Sequence, residues 1–111
     1  MGLLRASVKN TPDWWEARLL DLDIFADGES EDKMLHELEH ALVAHYYIAL
    51  EHGRTPFVDL LVSCPRDVSQ SWESGDKKLR SLNLPDEVRQ ALSAVFRSPT
   101  IADFKLEPIA A

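Results

Sequence analysis

The stretch from Ser30 to Gly53 constrains this chain more than any other. Leu35, Leu38, Leu42, Tyr46 and Ala49 recur at the i, i+3/i+4, i+7 spacing of a single helical face. Ser30 is a strong N-cap residue, and Glu31 and Asp32 follow it where the helix dipole favours negative charge. Gly53 closes the pattern as a C′ glycine, with His52 in the last turn. A long helix with one apolar stripe needs a surface to cover.

The runs upstream offer that surface. Leu3, Leu4, Ala6 and Val8 form a short apolar, strand-compatible run. Asn10-Thr11-Pro12-Asp13 is a turn signal, because Asn and Asp satisfy their own backbone and Pro presets φ. From Trp14 to Leu22, Trp15, Ala17 and Leu19 share one face and Trp14, Glu16 and Arg18 the other. The two runs form a hairpin. Asp23 to Ala26 is a third short strand, closed by an Asp27-Gly28 turn. Beyond the helix, Phe57 to Ser63 is a fourth strand candidate. Cys64 to Asp76 is polar and Ser-rich and is expected to be a loop or linker, with Trp72 pinned to the core. Lys78 to Leu84 is extended. Pro85 opens a second helix, Asp86 to about Arg97, with Val88, Leu92, Val95 and Phe96 as its stripe, and Ser98-Pro99 stops it. The last dozen residues show no period and are expected to form a poorly ordered tail.

These elements predict an α+β fold: a small antiparallel three- to four-stranded sheet packed on one long helix (β-β-β-α-β), followed by a C-terminal strand and helix. The expected organisation is an α+β domain over 1–64, a loop or linker over 65–76, and a strand-helix segment with tail over 77–111. At 111 residues the chain can bury a modest core. No apolar run approaches the roughly 20 residues of a membrane span, and no h-region precedes Arg5, so a cytoplasmic protein is expected. A lone Cys64 fits a reducing compartment. The net charge of −7 is lopsided. Residues 1–60 hold five Lys/Arg against twelve Asp/Glu, while residues 61–111 balance seven against seven. An acidic half repels nucleic acid and speeds the approach of basic proteins.

One motif proposes chemistry. His36-Glu37-Leu38-Glu39-His40 satisfies H-E-x-x-H, in which two His four apart on a helix face hold zinc and the Glu activates its water. This gives a zinc-peptidase alternative with His36 and His40 as ligands and Glu37 as base. Against it, Glu39 puts a charge where such helices avoid one, and no third ligand stands at a recognised spacing; His45 falls one residue too early. These residues read better as a solvated helix face. Cys64 has no His partner placed by sequence, and there is no Gly-rich phosphate loop. No catalytic residue is assigned and no cofactor is expected.

The segment from Ala17 to Ser30 resembles the HicB antitoxin family. The resemblance rests on Asp21-Leu22 at a strand end, the short strand Ile24-Phe25-Ala26, and Gly28-Glu29-Ser30 opening the helix, and it covers about residues 3–63. Asp23-Ile24 replaces the Pro-Gly that commonly follows the Asp-Leu step, and the helix is longer and carries His36, His40 and His45. The resemblance implies a partial RNase H-like fold without nuclease activity, which binds and neutralises a small basic ribonuclease toxin. The expected partner-binding residues are Trp14, Asp21, Asp23, Asp27 and Glu29. Many such proteins also repress their own operon. Lys78-Leu-Arg-Ser-Leu-Asn-Leu-Pro-Asp-Glu-Val88 resembles the strand and first helix of a ribbon-helix-helix module. That would turn Leu82 and Leu84 inward, aim Ser81 and Asn83 at operator DNA with help from Lys77, Lys78 and Arg80, and require a homodimer. The competing reading is an ordinary strand and helix that complete the fold.

Overall fold

The computed structural model describes residues 3–74, 79–95, 98–102 and 106–108. A three-stranded antiparallel meander packs on one long helix. Strand β1 (Leu3–Thr11) turns through Pro12-Asp13 into β2 (Trp14–Leu19), and β3 (Phe25–Gly28) pairs with the far side of β2. Alternation sets the inner face: Leu4, Ala6, Val8, Ala17, Leu19 and Ala26 are buried. Strand β3 starts two residues later than expected, and Asp27-Gly28 belongs to it rather than to a turn. The residues before it are engaged elsewhere: Ile24 N–H turns back to Leu22 O at 2.8 Å, and Asp23 N–H donates to Leu60 O at 2.8 Å. Gly28 allows the close approach of the next element. A Cβ there would lie 2.7 Å from the Met34 nitrogen.

Helix α1 (Glu31–Glu51) has the boundaries its pattern predicts. The Ser30 hydroxyl accepts the Lys33 N–H at 3.2 Å. At the other end Gly53 has φ 66°, and Gly53 and Arg54 N–H groups donate to Leu50 and Ala49 carbonyls, which completes a Schellman motif. The buried line is Met34, Leu38 and Leu42, with Leu35, Ala41 and Tyr46 at its margins. Met34 therefore leads the stripe, and each of these fully buried side chains stabilises the fold by roughly 1.5–3 kcal/mol.

The expected strand at Phe57–Ser63 is a 3-10 turn, Val58–Leu60, followed by one antiparallel bridge between Leu61 and Leu22. Phe57 is the cause. Its ring is buried and its φ is 69°, so the chain swings at the point where a strand would begin. Left-handed backbone costs such a residue about 1–2 kcal/mol, which burial of the ring offsets. The apolar run that resembled a strand instead leaves Val58, Leu61 and Val62 exposed. The expected 65–76 loop holds helix α2 (Arg66–Ser74), opened by Pro65, whose carbonyl accepts the Ser69 N–H at 3.0 Å. Strand β4 (Leu79–Ser81) leads to α3 (Asp86–Val95).

The C-terminal segment also departs from expectation. Strand β5 (Ser98–Ala102) lies parallel to the first residues of β1 and antiparallel to β4, and β6 (Leu106–Pro108) runs parallel to Val8–Asn10. The sheet order is β3-β2-β1-β5-β4, with β6 also on β1. One core joins the two halves of the chain: Leu82, Leu84, Val88 and Leu92 are buried with Leu4, Leu38 and Leu42. Tyr47 Oη donates to Glu87 Oε1 at 2.9 Å and ties α1 to the start of α3.

Candidate partner-binding surface

Hydrogen-bond phase decides which groups of β3 are available. Leu19 N–H donates to Ile24 O at 3.0 Å, and the register places Ala17 opposite Ala26. Antiparallel bonds alternate, so the Ile24 carbonyl and the backbone groups of Ala26 and Gly28 turn to β2 while Phe25 and Asp27 turn theirs outward. Among the described residues no strand pairs with that outward edge.

The five expected partner-binding residues distribute unevenly around it. Asp23 and Glu29 are exposed and Asp27 is half-exposed. Trp14 is 40% exposed and stands one step past the Trp15–Gly28 pair, beside Glu29. Glu29 Oε2 meets Lys33 Nζ at 3.0 Å, an exposed pair of small energetic weight. Asp21 is different. Its carboxylate accepts Arg5 Nε at 2.9 Å and Arg5 Nη2 at 2.7 Å. Both side chains are largely shielded, so Asp21 acts in the structure and is withdrawn from the acidic surface.

Arg5 was not legible as a structural centre. Besides Asp21 it donates through Nη1 to Ser69 Oγ at 2.8 Å and lies 5.5 Å from the centroid of the Trp72 ring. The Asp21 hydrogen bonds raise its pKa above the ordinary value against the opposing effect of burial, so the guanidinium stays charged. Trp72 Nε1–H donates to Ala6 O at 3.0 Å, which places the residue against the core as expected. A charged residue inside an apolar strand was the available signal; its partners lie 16 and 64 residues away.

The H-E-x-x-H residues take other roles. The His36 and His40 rings are 4.3 Å apart and tilted by 50°, and both are exposed, as is Glu37. Glu39 is largely shielded and does not join the wet face as expected. One carboxylate oxygen accepts the Asn83 N–H, and the other stands 3.8 Å from His36 Nδ1. The charge that looked misplaced for a zinc helix fixes the segment leading into α3. Among the described residues no group of three or more His, Cys, Asp or Glu side chains is arranged to hold a metal.

Lys77 and Lys78, expected at the DNA-binding segment, lie outside the described residues. Arg80 and Ser81 lie in β4, which pairs with β5 of the same chain. Leu82 and Leu84 turn inward, into this chain's own core, and Asn83 is exposed.

A cleft of about 220 Å³ opens beside the start of β3, between Phe25 and the segment Val62–Pro65, with Leu22 and Ile24 in its lining. It is smaller than the roughly 300–1,000 Å³ of small-molecule pockets and suits a single side chain. Cys64 is at its rim, half-buried. No described helix is long and apolar enough to cross a membrane. No known protein family, curated protein or solved structure matches the chain.

Proposed function

We infer that this chain is a non-enzymatic binding protein whose partner is a small basic protein, in the manner that its HicB-like features imply for a ribonuclease toxin. The observation that carries the reading is the placement of acid on the fold. Between Asp21 and Lys33 the sequence holds six acids and one base. Apart from Asp21, those acids lie on and around β3 and the first turn of α1, at an edge of the sheet. Such a patch draws a basic partner and raises its association rate, most strongly at low salt.

The full chain is expected to retain a small basic ribonuclease from its source cells and to block that enzyme's RNA cleavage near equimolar ratio. Raising salt from low to about 0.5 M should slow association severalfold. Capture of no basic partner, or capture without inhibition, removes the antitoxin reading.

A further inference from the structure

We propose that the partner docks by adding an extended, basic segment as a new strand on the outer edge of β3, with one apolar side chain seated in the cleft beside Phe25. This rests on the basic-partner reading above and specifies how the contact is made.

Three observations converge on the same edge. Among the described residues no strand pairs with the outward N–H and C=O groups of Phe25 and Asp27, which form a short ladder of the kind that strand addition uses. Immediately upstream the chain already satisfies its backbone in this way: Asp23 N–H donates to Leu60 O at 2.8 Å and Val62 N–H to Asp21 O at 3.1 Å, so a segment of the chain lies along residues 21–23 and leaves Phe25 onward open. Beside that opening, Phe25 and Val62 are 50% and 43% exposed and border the cleft. Main-chain bonds would supply affinity and the cleft would read one side chain.

Charge selects the occupant. Asp23, Asp27 and Glu29 flank the open ladder, with Arg18 as the cation at the cleft. A second copy of this chain would set those acids against their own counterparts, and directly opposed like charges destabilise a strand pair. A segment alternating Lys or Arg with apolar residues meets both the acids and the cleft.

The test uses the full chain and two synthetic peptides of identical composition. One alternates Lys with Val and Leu; the other places the Lys residues in a block. The alternating peptide is expected to bind about tenfold more tightly, since only it matches the period of a strand. Hydrogen exchange at the Phe25 and Asp27 amides should slow on binding, and that at Ala26 should not change. Asp27→Pro removes an outward N–H without touching a β2 bond and should abolish the preference between peptides, with the fold checked by circular dichroism. Asp27→Asn removes charge alone; it should weaken both peptides alike and keep the preference. If Asp27→Pro does not fold, the exchange result on the unaltered chain decides.

Equal binding of the two peptides with unchanged exchange overturns strand addition and leaves the basic-partner reading standing. Binding of neither peptide also overturns it, and the basic-partner reading then stands or falls on capture and inhibition alone. Protection of Phe25 and Asp27 that rises with protein concentration, without peptide, assigns the edge to a second copy and overturns the proposal.

Discussion

The two outer edges of the β1-β2-β3 meander are treated in opposite ways. The β1 edge is closed along its length by three different devices: β5 at Leu3–Arg5, the Trp72 indole at the Ala6 carbonyl, and β6 at Val8–Asn10. The β3 edge carries no described strand and is ringed by acids. Edge groups invite pairing with other chains, so a protein that closes one edge so thoroughly and leaves the other open has restricted where pairing can occur. The closed side contributes to stability, and among the described residues the β3 side is left to the contact proposed above.

That contrast can be attacked from the closed side first. Replacing Arg5 with Met removes the bidentate pair to Asp21 and the bond to Ser69, and leaves a shielded carboxylate without its cation. A loss of about 2–3 kcal/mol is expected in urea unfolding. A change under 0.5 kcal/mol would show that the cluster is ornamental to stability. Trp72→Phe keeps an aromatic ring but deletes the donor to Ala6 O. It should cost about 1–2 kcal/mol and speed exchange of neighbouring β1 amides, while peptide binding at β3 stays unchanged. If that substitution alters binding at β3, the two edges are coupled and the division of labour fails.

The smallest effect lies away from both edges, at the Tyr47–Glu87 bond. The Glu87 backbone amide at the start of α3, and after it the hydrogen bond from Tyr47, hold the Glu87 carboxyl below its usual 4.5, and the Tyr47–Glu87 bond raises Tyr47 above its usual 10.0. A lowered carboxyl pKa contributes stability that is present above the unfolded value and is lost as pH falls through the folded one. A raised phenol pKa contributes stability present below 10.0 and lost as pH rises through the folded value. Tyr47→Phe should therefore lower the thermal midpoint slightly between about pH 5 and 9 and converge with the parent chain at both extremes. An equal difference at all pH values would trace the effect to packing instead.

What the sequence disclosed follows the range of the interactions. Helix α1 was legible to the residue because its cap, stripe and C′ glycine are all local signals. The hairpin was legible because Pro12-Asp13 and the alternation in Trp14–Leu19 lie side by side. Strand β3 was displaced by two residues, since the Leu22–Leu61 bridge that delays it is a distant contact. Phe57 to Ser63 misled because composition cannot reveal a left-handed Phe57. Strands β5 and β6 left no local trace, because their partner is β1 at the far end of the chain. At the candidate surface, Trp14, Asp23 and Glu29 are exposed and Asp27 half-exposed, whereas Asp21 could not be told from them until its bond to Arg5 was seen. Glu39 was misjudged for the same reason: its partner, Asn83, is 44 residues on.

The closure of β1 has a consequence for how the molecule is made. During synthesis β1 and β2 leave the ribosome before α1, which then gives them a face to pack on. The groups that seal the other side of β1 are encoded from Trp72 onward, with β6 at residues 106–108. At about 5–20 residues per second the nascent meander carries an open β1 edge for several seconds, and it is completed only after residues 106–108 have emerged. Parallel pairing across such a separation is also slow to form. Until then the β1 edge stands open beside the acidic β3 edge, so the interval in which β1 is most exposed to mispairing is translation itself.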